Sequence, residues 1–177
     1  MKKIQLMGAA LLISASSVFA NAAEISAKDF AKLSPKEAIE QAHEWRGKNY
    51  AMVAVTPNGI EATFKDNQQV VIPLQDEFFV SIAPYENKTH DCSYHVPTGC
   101  TGEMMGKKIQ LKITDQKTGV VIKDEQIEVQ KDGFVDLWLP KDKEFLIEFD
   151  YKDKKASQII PTGKNDLTCI TTMQLKK

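Results

Sequence analysis

The hydrophobic rhythm of the chain changes several times, and each change marks an expected boundary. Residues 4–19 are apolar with small residues interspersed, preceded by Lys2 and Lys3 and followed by Ala20-Asn21-Ala22. A positive start, a short apolar core and a small-x-small site describe a cleavable secretory signal over residues 1–22. The run is too short and too weakly flanked for a typical membrane span. No cysteine follows it, so no lipid anchor is signalled. An exported chain over residues 23–177 is expected.

A helical period runs from residue 27 to 46. Ser34-Pro35-Lys36-Glu37 reads as a capping box with proline at the first helical position, and Ala38, Ile39, Ala42 and Trp45 recur on one face. Gly47 supplies the stop. His43 lies in the last turn, where an imidazole suits the helix C-terminus, and reads as structural rather than as a ligand. The period then shortens to two. Strands are expected at 51–56, 60–64, 69–74 and 77–83, separated by Pro57-Asn58-Gly59 and Asp66-Asn67. They complete a small α+β lobe over residues 23–85, with Phe78, Phe79 and Val80 in its core.

Residues 84–106 show neither period, and a connection of that length is usually functional or tied down. Past Gly106, Ile109, Leu111 and Ile113 alternate with Lys108, Gln110 and Lys112, the pattern of a half-buried antiparallel strand. Further short strands are expected at 120–122, 127–129, 134–139, 145–151, 159–160 and 167–175. The fold class is therefore α+β: an N-terminal helix-plus-strand lobe, then an antiparallel β-sandwich of immunoglobulin- or transthyretin-like form over 107–177.

Charge narrows the partners. The formal net charge is −1, and loss of Lys2 and Lys3 takes it to −3. Both signs are mixed along the chain, so there is no basic face for nucleic acid.

The cysteines carry the chemistry. Cys92, Cys100 and Cys169 cannot all pair within one exported chain. One reading is a Cys92–Cys100 disulfide with Cys169 inert in the core. The other puts all three thiolates on a metal. His90 and His95, two of the three histidines, share the segment 86–106 with Cys92 and Cys100, which makes it a candidate metal-binding loop. Cys92-x-x-His95 has a short chelate spacing, and Pro97-Thr98-Gly99 turns the backbone toward Cys100. Three thiolates suit Cu(I), while three thiolates plus His95 would form a closed Cys3His zinc site. The Cys-x7-Cys spacing is wider than zinc-finger pairs, and copper outcompetes zinc for most ligand sets. His90 or His95 would receive Cu(II).

In an extended last strand Cys169 and Met173 share a face about 13 Å apart, too far to bind one ion. Cys169 is then the ligand candidate and Met173 a core residue, with Met104 and Met105 as soft neighbours of the site. No Cys-x-x-Cys at a helix start, no His-Glu-x-x-His and no phosphate loop is present, so a hydrolytic enzyme is not expected.

Three segments together resemble a known family: His90-Asp91-Cys92-x-x-His95-x-Pro97-Thr98-Gly99-Cys100-x-Gly102-Glu103, Phe134-Val135-Asp136-Leu137-Trp138-Leu139-Pro140, and Thr168-Cys169-Ile170-Thr171-Thr172-Met173-Gln174-Leu175. They are similar to the CueP-like periplasmic copper-binding proteins. The resemblance implies copper held by Cys92, Cys100 and Cys169, with His95 as first and His90 as second choice of histidine. It implies a role in periplasmic copper resistance and copper supply to a periplasmic Cu,Zn-superoxide dismutase. The thiols would at most reduce Cu(II) stoichiometrically or weakly, with His95 catching the ion first, so the protein is not expected to be an enzyme. A homodimer is compatible with the sequence. The alternatives are a secreted β-sandwich binding module stapled by a disulfide, or a Cys3His structural zinc protein.

Overall fold

The computed structural model describes residues 24–177, so the signal-peptide expectation falls outside the described residues. The described chain is mainly β, with few helices and largely antiparallel sheets. No helix among the described residues is long and apolar enough to cross a membrane.

The single helix expected over 27–46 is two: α1 (Ala27–Phe30) and α2 (Pro35–Glu44). Each is capped by a serine. Ser26 accepts from the Asp29 N–H, and Ser34 with Glu37 forms the full capping box. Pro35 disfavours helical geometry at the residue before it, and Ser34 is extended with ψ 160°. The break folds Phe30 onto Trp45, with ring centroids 5.3 Å apart.

Strands β1 (Ala51–Thr56), β2 (Gly59–Phe64) and β3 (Gln69–Ile72) form an antiparallel meander. With the helices it closes a first core around Phe30, Ile39, Trp45, Val53 and Ile60. The next strand, β4 (Glu77–Ile82), does not join that sheet. It pairs antiparallel with β7 (Val135–Pro140) and parallel with β10 (Cys169–Ile170), giving a central sheet of order β10-β4-β7. The third sheet, order β6-β5-β8-β9, comprises β5 (Lys108–Asp115), β6 (Val121–Glu128), β8 (Glu144–Tyr151) and β9 (Lys154–Pro161).

The central sheet has a core on each face. Phe78, Val80, Ile82, Leu137 and Leu139 point toward Ile109, Leu111, Ile113, Phe145 and Phe149 of the third sheet. Phe79 points the other way into the first core, 5.1 Å from the Trp138 ring. Burial on both faces explains why Phe78 to Ile82 show no polar alternation. The expected core trio Phe78, Phe79 and Val80 is thus buried, but divided between two cores.

Two strand expectations change. The pieces at 120–122 and 127–129 are one edge strand, β6, with Val121 and Ile122 exposed. The expected strand 167–175 is regular only at β10; beyond Ile170 the chain continues as isolated bridges, Gln174 with Tyr85 and Lys176 with Lys155. The irregular step at 171–173 turns Met173 into the core between central and third sheets, while Cys169 faces away from it. Cys169 and Met173 therefore do not share a face.

Candidate metal centre

Strand register sets the floor of the site. Cys169 pairs with Ser81, and Ser81 with Asp136, so the three residues form one row across the central sheet. Register partners point to the same face. Thr168 fixes the row from the side: its hydroxyl donates to the Val55 carbonyl and accepts the His95 N–H at 3.3 Å, and its carbonyl takes the Ser81 N–H at 2.8 Å. Cys169 is accordingly 1% exposed.

The loop over residues 86–106 closes on this floor. At its ends the Glu103 carboxylate accepts the N–H groups of Glu86, Asn87 and Lys88 at 2.6, 2.8 and 3.3 Å. Burial would raise the pKa of this carboxyl, but those N–H groups and the Asn87 side chain outweigh it and hold it at about 2. Gly102 meets Gly133 backbone to backbone, with the Gly102 N–H donating to Asp132 O at 2.6 Å. A Cβ on either glycine would overlap the other's carbonyl. In the middle, the Val55 N–H reaches His95 O at 2.7 Å, and the Val53 N–H reaches the Thr98 hydroxyl at 3.2 Å.

These ties bring the three cysteines together with Ala83 and Phe134. Cys92 and Cys169 are joined as a disulfide, and Cys100 is free. The Cys100 sulfur lies 3.9 Å from that of Cys92. A Cys92–Cys100 pair with Cys169 as the leftover thiol is therefore not what forms: the buried Cys169 is a partner and the half-exposed Cys100 is the free one. Burial raises the Cys100 pKa, so the thiol keeps its proton until a metal displaces it.

The imidazole that accompanies the thiols is His90. Donor atoms of His90, Cys92 and Cys100 all lie within 4.8 Å of one another, a set suited to a soft or borderline ion. His90 is exposed, and a cleft of about 230 Å³ lined by Lys88, Thr89, His90, Thr101, Gly102 and Glu103 opens beside it. The structure does not bring His95 into this group. Its ring lies 4.5 Å from that of Phe134, whose other neighbour is His90 at 6.2 Å.

His95 instead joins a buried polar group. It is 0% exposed, and neither ring nitrogen has a hydrogen-bond partner among the described residues. Its Nε2 is 3.8 Å from Asp132 Oδ2, too long for a hydrogen bond. Burial pushes its pKa down to about 4, so the ring is neutral at pH 7. Nearby, Asp136 takes the Ser81 hydroxyl at 2.5 Å and pairs with His43 Nε2 at 2.7 Å. Burial opposes the His43 charge, but the bond to Asp136 and the negative charges of Asp136 and Asp132 raise its pKa. His43 is thus structural, as its helical position suggests.

Of the soft neighbours expected at Met104 and Met105, the first is directed away from the cysteine cluster. Met104 is packed in the core between the central and third sheets, and Met105 is exposed. Thr168, Glu103, Asp136 and Arg46 are residues that sequence reasoning missed. The signal available for Thr168, Glu103 and Asp136 was their place inside the motifs.

A family model described as the periplasmic copper-binding protein CueP matches residues 36–174. The chain belongs to this family. The matched CueP span includes His90 and all three cysteines. A solved structure, described as the crystal structure of S.CueP, is 34% identical and superposes with a TM-score of 0.72, covering 80% of this chain and 86% of that one. No curated protein matches the chain. As a CueP-family member the protein is a periplasmic copper-binding protein.

Proposed function

We propose that this protein sequesters Cu(I) through the thiolates of Cys92, Cys100 and Cys169, with His90 at the mouth of the site. The observation that carries this reading is the convergence of three cysteines from a loop and a distant strand beside an exposed imidazole. A staple needs two cysteines; it gives no reason for a third sulfur 3.9 Å from the first. Three thiolates satisfy Cu(I) at low coordination and shield it from redox cycling.

The disulfide form and the copper form exclude each other. With Cys92 bonded to Cys169, only Cys100 and His90 remain as donors, so an external dithiol must exchange with this bond, itself becoming a disulfide, before all three thiolates are available. Run in reverse, the Cys92–Cys169 couple reduces Cu(II). Forming the Cys92–Cys169 bond from two thiols releases two electrons and two protons, enough to convert two Cu(II) to two Cu(I). This is a stoichiometric event, not turnover. His90, exposed beside the open cleft, would receive the Cu(II), since imidazole suits that ion.

Release would follow ligand exchange through the cleft to an acceptor, for which periplasmic Cu,Zn-superoxide dismutase is our proposal, and the outcome for the cell is copper resistance. Mixing the Cu(I)-loaded protein with copper-free, zinc-loaded dismutase tests delivery. Recovery of dismutase activity in the presence of a free-copper chelator is expected. No recovery, with copper still on the donor, contradicts delivery while leaving sequestration standing.

A further inference from the structure

Of the three cysteines, Cys169 is held most firmly by the fold, because it sits in β10, bonded into the central sheet. Cys100 lies in a turn whose own bonds are two, from the Gly99 and Cys100 N–H groups to Val96 O at 2.9 and 2.8 Å. Yet a three-thiolate site needs its sulfur held beside the other two.

We propose that Arg46 is the positioning residue that holds it. Its guanidinium donates through Nη1 to the carbonyls of Cys100 and of Pro97, the latter at 3.3 Å, and through Nη2 to the Thr101 hydroxyl at 2.5 Å. One side chain therefore clasps the turn from Pro97 to Thr101 and fixes the backbone of Cys100 itself.

The other end of the clasp is rigid. Arg46 follows the C-cap of α2, with its N–H bonded to His43 O at 3.2 Å. The preceding residue, Trp45, is buried against Phe30 and Phe64 with ring centroids 5.3 and 5.8 Å away. The helix is thus anchored in the first core and reaches across to the cysteine loop. A planar fork with five donors spans three acceptors in this way; an ammonium on a flexible stem does not. The proposal rests on the three-thiolate reading and adds to it how the third thiolate is placed. Partners behind metal ligands typically account for about 10- to 100-fold in affinity.

The test is a cycle on the reduced protein, with Cu(I) alone as the probe. Cu(I) affinity would be measured against a competing chelator, and the number of copper–sulfur bonds by X-ray absorption. The variants are Arg46→Gln, Arg46→Lys, Cys100→Ser and the pair Arg46→Gln with Cys100→Ser. The expected result is about 10- to 100-fold weaker binding in Arg46→Gln, a fall from three sulfurs to two, and poor rescue by lysine. In the Cys100→Ser background, losing Arg46 should cost nothing more, because Arg46 acts through Cys100. Thr101→Val, which removes one acceptor and leaves α2 intact, should weaken binding in the same direction and keeps the test open if Arg46→Gln folds poorly. Wild-type affinity with three sulfurs in Arg46→Gln, or additive losses in the double variant, overturns the proposal. If Cys100→Ser itself changes neither readout, the three-thiolate reading falls and the proposal with it.

Discussion

His95 offers a test that separates a ligand from a buried structural residue, because the two roles predict opposite results. We take His95→Phe, which keeps an aromatic ring against Phe134 and Phe79, at 4.5 and 6.2 Å in the native protein, and removes two nitrogens that have no hydrogen-bond partner. Replacing an unsatisfied buried polar group by an apolar one of similar shape is near neutral or stabilising. At pH 7 the variant should therefore fold within about 1 kcal/mol of wild type. The acid limb is where they part. Burial lowers the folded pKa of His95 from 6.5 to about 4, so below pH 6.5 the unfolded chain binds a proton that the folded chain refuses. The contribution is fully present above pH 6.5 and is lost as pH falls toward 4. At ~1.4 kcal/mol per unit, the wild-type protein loses a ceiling of about 3 kcal/mol across that window. His95→Phe removes this loss. Urea midpoints of both proteins at pH 7.0, 5.5 and 4.5 measure it, as a gap that shifts in favour of the variant toward acid. A constant gap across the three pH values refutes the burial argument. A drop in Cu(I) affinity of tenfold or more in His95→Phe, with the fold intact, would show that His95 and not His90 serves the copper.

Two further outcomes concern the loop. Glu103→Gln should destabilise the protein by about 1 kcal/mol at neutral pH, a figure discounted for the solvent around the carboxylate. Because its folded pKa is depressed to about 2 from 4.5, the difference should be full above pH 4.5 and shrink as pH falls toward 2, read from urea midpoints; a pH-independent gap would contradict the carboxylate clasp. Gly102→Ala places a methyl group against the Gly133 carbonyl, so thermal unfolding should show a loss of about 1–3 kcal/mol, and an unchanged Tm would deny the close approach.

Much of this protein was legible because local rules and global packing agree. The capping box at Ser34, the alternation at Ile109 to Ile113 and the hairpin at Pro57-Asn58 are set by neighbours in sequence, and they form where the pattern places them. What failed depended on contacts between distant segments. Phe78 to Ile82 reads equally well as the last strand of a lobe or the middle of a sheet, and only pairing with β7 and β10 decides it. The parity of the C-terminal segment breaks at 171–173, which no period announces, and Met173 changes face. At the site, spacing brought out the three cysteines, since few reasons exist for such a set in one loop and one strand. It could not choose between His90 and His95. Cys92-x-x-His95 looks like a chelate, but the His95 backbone is bound to Val55 and Thr168, which carries its ring behind Phe134. Arg46 lies just past the C-cap of α2, 54 residues before Cys100, and sequence offers no link between them.

The central claim is a shared site of three thiolates. Its most direct measurement is a Cu(I) titration of the reduced protein against a colourimetric chelator, repeated on Cys92→Ser, Cys100→Ser and Cys169→Ser. One tight equivalent of copper, weakened in every one of the three variants, is the predicted result. Tight binding that survives the loss of any one of these cysteines would contradict it.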